Sequence, residues 1–338
     1  MTPHFQITLG VDLAQASFDV ALAGPDARIA QWRELSHLHV DGPPDAPESI
    51  AAIVGWLRER QVDPAALRVV VESTGQLSRR FAWAWQQSGG AAVAIVNPLR
   101  TKGFGVSLGL RDKTDRIDAA VLALYGHVHR PEPTRLRSQA HEQVRELVRL
   151  RQALVEEISR WKHRQNEALG KPAGKFIERR IHGGEREIKR LDELIDELIE
   201  EEPPLRDQVQ ALVQIDGIGK VTARTLTAEL GDLRIYSRNQ LVALAGLYPK
   251  RFESGSSVWR RPRLAKGGGS RLRRVLYMCA TSLFSSKGPW AVVIERWRER
   301  GMCEMKIIGI LMRRLLLVAR AVMLADGEYD PQKVLNIG

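Results

Sequence analysis

Along the first part of the chain the spacing of apolar residues changes several times, and each change marks an element. In "FQITLGVDLAQASFDVALA", residues 5 to 23, two short apolar runs flank a turn of small residues and Gln15, the pattern of a β-hairpin. "LRVVVEST" and "AAVAIVNP" are β-branched runs of buried-strand length, and segments 47 to 61 and 76 to 88, before and between them, carry apolar residues at helical spacing. A strand hairpin followed by alternating helices and strands predicts an α/β layer around a mixed sheet. The pattern stops at the Pro-rich "HRPEPTRLRS", which bounds a first domain at residues 1–133.

From 138 to 204 the chain turns to dense alternating charge with apolar residues every three or four positions, in "HEQVRELVRLRQALVEEISRWKHRQNEAL" and "REIKRLDELIDELIEEE". These predict long coiled-coil-like helices, broken at "GKPAGK" and again at "HGGE". They read either as the solvated faces of a helical hairpin or as a dimerisation element. After "EEPPLRD", residues 205–330 read as nearly all helical, with Gly-bearing turns in "IDGIGK" and "LAKGGGSR" each ahead of a helix. The most apolar stretch, "IIGILMRRLLLVARAVMLA", is interrupted by Arg313, Arg314 and Arg320, so it predicts a packed helix and no membrane span.

Composition adds a partner. With 51 Lys and Arg against 40 Asp and Glu, the formal charge is +11, which favours a polyanion such as nucleic acid. An apolar content of 44% over 338 residues supplies ordinary cores for two domains. Two isolated cysteines, Cys279 and Cys303, make no disulfide framework or cysteine zinc site, and "MTPHFQITLG" has no basic start followed by an apolar run. Both fit a soluble protein of a reducing cytoplasm.

Within this basic chain four acids stand at informative places. Asp12 and Glu72 close predicted strands, where open α/β sheets expose their binding crevice. Asp115 and Asp118 share one face of a helix opened by "KTDRIDA". Taken singly, Asp12 reads as a turn residue and Asp115 as a helix N-terminal acid, and Asp112 can stand in for Asp115. Taken together, four converging carboxylates repel one another, and one or two Mg²⁺ or Mn²⁺ ions would relieve them and assist phosphoryl transfer.

The distal part carries the complementary charge. Gly217, Gly219 and Lys220, in a helix-hairpin-helix-like segment, suit a phosphate contact at a helix N-terminus or a plain packing turn. Residues 254 to 285 hold no acid but contain Arg260, Arg261, Arg263, Lys266, Arg271, Arg273 and Arg274, a nucleic-acid footprint or an unstructured basic surface.

The motifs "GVDLAQASFDVAL", "VVVESTG", "KTDRIDA", "IDGIGKVTARTLTAELGD", "LVALAGLYP", a Ser-Gly pair and "KGGGSRLRRVLY", in that order, resemble the DEDD-type transposases of the "IS one-ten" insertion sequences. That group includes Piv-like invertases and bridge-RNA-guided recombinases. The resemblance implies an α/β RNase H-like (RuvC-like) N-terminal domain, a coiled-coil middle and a mostly α transposase domain. It implies that Asp12, Glu72, Asp115 and Asp118 are the catalytic, metal-holding acids. It implies a catalytic serine in "RFESGSSVW", Ser254 by best match with Ser256 and Ser257 close behind, that forms a phosphoserine link to DNA. The implied partners are donor and target DNA, a structured bridge RNA, and further copies of the chain in a homodimer or homotetramer. "GGGS" replaces the more usual Gly-Asn or Gly-Asp before the last motif. Rival readings are a junction-resolving nuclease using water, an actin-like ATPase or sugar kinase, and a non-catalytic nucleic-acid-binding protein.

Overall fold

The computed structural model describes residues 7–109, 114–167, 170–254, 258–265, 268–285 and 287–332, with backbone alone for 29–30, 250–254 and 258–263. The chain divides into two compact units, one ending at Leu136 and the other beginning at Arg137.

The first unit is built on five strands, β1 (Thr8–Leu13), β2 (Ser17–Ala23), β3 (Ser36–Asp41), β4 (Arg68–Glu72) and β5 (Val93–Val96), in the order β3-β2-β1-β4-β5. β1 and β2 form the expected hairpin and β3 extends it antiparallel, whereas β4 and β5 run parallel to β1. Alternation along the strands assigns the two faces. Leu9, Val11, Val69 and Val71 pack with Ile53, Leu57, Phe81 and Trp85 of α1 (Pro47–Glu59) and α2 (Gln76–Gln87). Ala21, Ala23, Val70 and Ala94 face the other way, toward α4 (Asp115–His129), which follows α3 (Pro98–Ser107). A sheet of this order, covered on both faces, is the RNase H-like fold expected from the sequence.

Two positions show why α4 lies so close. A Cβ on Gly10 would sit 2.2 Å from the Ala123 nitrogen and 2.4 Å from the Ala119 carbonyl oxygen, so only glycine lets the helix backbone rest on β1. A Cβ on Gly126, further along α4, would meet side-chain methyls instead, Val70 Cγ2 at 2.5 Å and Thr8 Cγ2 at 2.6 Å. The Pro-rich segment after α4 is fastened to β5: the Thr134 N–H donates to the Val93 carbonyl at 2.8 Å, and its hydroxyl accepts from the Ile95 N–H at 2.9 Å.

The second unit is mostly helical: α5 (Gln139–Asn166), α6 (Lys171–Glu201), α7 (Pro203–Val213), α8 (Lys220–Leu230), α9 (Arg238–Leu244), α10 (Ser270–Ser282), α11 (Pro289–Glu299) and α12 (Glu304–Leu324). α5 and α6 pair along their lengths. At one end Val144, Val148, Ile195 and Ile199 join the large core with Leu212, Leu226, Leu276, Trp290 and Leu315. At the other, Ile158, Ile177 and Ile181 form a small separate cluster with Leu154, Trp161 and Ile188. Arg149 grips Glu229 through two 2.8 Å hydrogen bonds, and Arg137 donates to the Ala228 and Glu229 carbonyls that end α8. His141 stands beside them with Nε2 at 3.2 Å from the Ala228 carbonyl, and burial, then Arg137, pull its imidazole down to about 4.

One expectation is corrected, and two elements were not anticipated. "HGGE" does not break the second long helix, because α6 runs through it and Gly184 is where it closes on α5: a Cβ there would lie 2.8 Å from Ile158 Cδ1. The distal region is mostly helical, as expected, and its basic segment carries an antiparallel hairpin of Pro249–Ser254 (β6) and Val258–Leu264 (β7) that the sequence pattern did not show. The edge strand β3 was not anticipated. No helix among the described residues is long and apolar enough to cross a membrane.

Candidate functional site

Asp12 sits one residue before the end of β1, and the parallel register Val11↔Val71 sets it next to Glu72, the last residue of β4. The same alternation that turns Val11 to α1 and α2 turns Asp12 toward α4. There Thr114 caps the helix, its hydroxyl accepting from the Ile117 N–H at 3.3 Å, so Asp115 and Asp118 occupy the first turn, where the helix dipole favours negative charge. Burial, then Asp118, Asp115, Glu72 and Asp19 in falling order, push the Asp12 carboxyl up to about 7. Asp118, Asp115 and Glu72 are therefore all near enough in space to act on Asp12.

Glu72 is held from α3. The Thr101 hydroxyl donates to Glu72 Oε2 at 2.7 Å. Asn97 starts that helix, its side chain accepting from the Leu99 N–H at 2.9 Å.

Residues the sequence did not flag complete this face. Asp19 lies directly across the hairpin from Asp12, and His39 lies across from Asp19 with Nδ1 3.1 Å from its carboxylate. Hydrogen bonding and charge from Asp19 raise the His39 imidazole. His37, two residues earlier on β3, is lowered by burial and then by Arg116, against the pull of Asp19. The alternation in "SHLHVD" was the available signal for both histidines.

An all-carboxylate donor set of this kind suits a hard divalent cation, and the mutual repulsion at Asp12 is the strain such an ion relieves. Among the described residues no three His, Cys, Asp or Glu side chains form a group placed to hold a metal ion. Asp112 lies outside the described residues.

In the second unit Ser254 is the last residue of β6, paired in register with Val258. Arg260, Arg261 and Arg263 lie along β7, whereas Ser256, Ser257 and Lys266 are outside the described residues. Gly217 has φ +86°, and a Cβ there would meet Leu283 at 2.8 Å, so this glycine has a packing reason of its own. Gly219, by contrast, is exposed at the N-cap of α8 with open space where a Cβ would stand. Lys220 Nζ is paired with Asp196 at 2.6 Å. On α10, Arg271 is exposed, Arg273 donates to the Ala245 and Gly268 carbonyls, and Arg274 pairs with Glu156.

An RNase H-like sheet carrying interacting acids at its strand ends, in a strongly basic chain, defines a class: enzymes that cut or exchange nucleic-acid strands. Comparison with known proteins narrows it. Residues 9–171 match a DEDD transposase family model, and residues 209–292 match the transposase family IS116/IS110/IS902. The chain belongs to this family of insertion-sequence transposases and is a DNA recombination enzyme. The pilin gene-inverting proteins of Moraxella bovis and Moraxella lacunata are each 27% identical to it over 324 residues, which is 95% of this chain and 97% of theirs. Among solved structures, that of Thermus thermophilus RuvC aligns at 16% identity and a TM-score of 0.26, covering 38% of this chain and 99% of that one.

Proposed function

We propose that this transposase exchanges DNA strands through a serine-linked intermediate, with the acids Asp12, Glu72, Asp115 and Asp118 holding divalent metal. The observation that carries the acid half is the placement of Asp12 near the end of β1 beside Glu72 at the end of β4, with Asp115 and Asp118 in the first turn of α4; the raised Asp12 carboxyl agrees with that nearness. Bound Mg²⁺ or Mn²⁺ would supply positive charge to the scissile phosphate and to the departing oxygen. Ser254 Oγ bonds to phosphorus, the bond from phosphorus to the 3′-oxygen breaks, and the proton given up by the hydroxyl is matched by the one the 3′-oxygen gains. One phosphate ester replaces another, so a 3′-hydroxyl from a second strand reseals the DNA by the reverse step with no external energy source.

Arg260, Arg261, Arg263, Lys266 and Arg271 hold the phosphate backbone close to the serine, and their charge favours the alkoxide over the neutral hydroxyl. Gly217, Gly219 and Lys220 add a sequence-independent backbone contact at the start of α8. The chain acts as a homodimer or homotetramer, since strand exchange requires several cuts in two duplexes. A structured bridge RNA supplies the sequence choice, as the family resemblance implies. The name of the Moraxella relatives makes inversion of a DNA segment one expected outcome of exchange.

The test is to trap adducts on a DNA substrate with the protein and whatever RNA co-purifies with it. Wild-type protein gives a covalent protein–DNA species sensitive to Ser254→Ala and dependent on that RNA. Cleavage that survives Ser254→Ala with no adduct would support the water-using nuclease instead. Full recombination by Asp12→Asn would remove the acids from the chemistry.

A further inference from the structure

The geometry points to Thr101 as the positioning residue for Glu72, an assignment that rests on the reading of Glu72 as a metal-holding acid. Thr101 is 3% exposed and lies on the inner face of α3, with Oγ1 2.7 Å from Glu72 Oε2 and 3.0 Å from the Pro98 carbonyl. A hydroxyl has one proton to give. Of the two acceptors the carboxylate is nearer and is the stronger when ionised, so it takes the proton. The Pro98 carbonyl remains as the resting acceptor when Glu72 turns away, which lets the hydroxyl be buried in either state without losing a partner.

The backbone at Glu72 is already fixed. Glu72 pairs with Val96 at the ends of β4 and β5, and the next residue, Ser73, donates its N–H to the Val96 carbonyl at 2.9 Å. The freedom left at this acid is therefore rotation of its side chain. Tethering one carboxylate oxygen removes much of that freedom and presents the group in one orientation. Hydrogen bonds of this sort, one step out from a ligand, are worth about 10–100-fold in metal affinity. The link also joins residues 29 apart on two elements, β4 and α3, so the pose of Glu72 depends on where α3 packs.

The experiment is Mn²⁺ binding to the full-length protein, without nucleic acid, by isothermal titration calorimetry, with strand cleavage measured against Mn²⁺ concentration in parallel. Thr101→Val keeps the shape and removes the donor. It is expected to weaken Mn²⁺ binding about 10–100-fold and to raise the half-saturating Mn²⁺ for cleavage by the same factor, with the rate recovering at saturation. Thr101→Ser retains the hydroxyl and stays close to wild type. Wild-type Mn²⁺ affinity in Thr101→Val, or an equal loss in Thr101→Ser, overturns the assignment. If Thr101→Val melts early, Thr101→Ala carries the same comparison. Glu72→Gln separates the two levels of the argument. If it abolishes Mn²⁺ binding while Thr101→Val leaves binding intact, the role of Thr101 alone falls; if Glu72→Gln binds and cleaves as wild type, the acid site falls with it.

Discussion

Replacing Gly10 by alanine tests whether the close seating of α4 on β1 sets the acid cluster. The added Cβ would stand 2.2 Å from the Ala123 nitrogen and 2.4 Å from the Ala119 carbonyl oxygen, both backbone atoms of a helix buried against the sheet. Ordinary contact begins near 3.4 Å, so helix and strand must part by about 1 Å, and neither obstacle is a side chain that can rotate aside. Overpacking of this kind costs about 1–3 kcal/mol and occasionally more, and with backbone on the receiving side we expect about 3 kcal/mol, or a fall of roughly 10 °C in the melting of the first unit. The same movement carries Asp115 and Asp118 away from Asp12, and a misplacement of about 1 Å in a catalytic constellation costs on the order of 100-fold in rate. The assay pairs circular-dichroism melts with the recombination frequency of a marked element in cells. Gly55→Ala is the control, because Gly55 is in the helix α1 with open space at its Cβ position and should gain up to about 1 kcal/mol from helix propensity. A Gly10→Ala protein that melts and recombines as wild type would refute the reasoning.

Two further predictions concern pH. The Asp12 carboxyl is raised to about 7 in the folded chain, so the unfolded chain gives up that proton first and stability is lost as pH rises from about 4 through 7. In chelator, Asp12→Asn should therefore melt higher than wild type near pH 8, by roughly 1–4 kcal/mol, and no higher near pH 4; a lower melt near pH 8 counts against it. His141 has the opposite sign: with the folded imidazole at about 4 and the unfolded one near 6.5, stability is complete above 6.5 and is lost as pH falls toward 4, by about 3 kcal/mol in all. His141→Gln should flatten that acid limb in melts of the second unit, and an unchanged limb would assign the loss to other groups.

The first unit was largely legible because its strands carry unbroken β-branched runs and its helices a single apolar face. The places of the four acids on these elements were legible for a related reason, since each stands at a strand end or a helix start that the pattern itself locates. β3 escaped because six residues with two histidines give a weak alternation, and with it went His39; Asp19 lies on the expected β1–β2 hairpin, but its place opposite Asp12 depends on the exact register, which the pattern does not give. Gly183 and Gly184 were misread for the opposite reason. A glycine pair inside a helical pattern signals a break only when nothing rewards its small size, and here Ile158 packs where a side chain on Gly184 would intrude, while Gly183 faces open space. The β6–β7 hairpin was hidden by arginines and Pro262, which do not alternate with apolar positions as strand residues usually do.

The α5–α6 pair is anchored at one end in the large core and steadied at the other by its own small isoleucine cluster. Its outer portion is thus a detachable extension with its own local cohesion. Removing about seven residues from each helix, two full turns, brings the remaining side chains back to nearly the same bearing. Shortened by another amount, the two helices would meet with mismatched stripes in the outer portion, while the base, where Arg149 holds Glu229, would stay as it is. The permitted lengths of this extension therefore come in discrete steps.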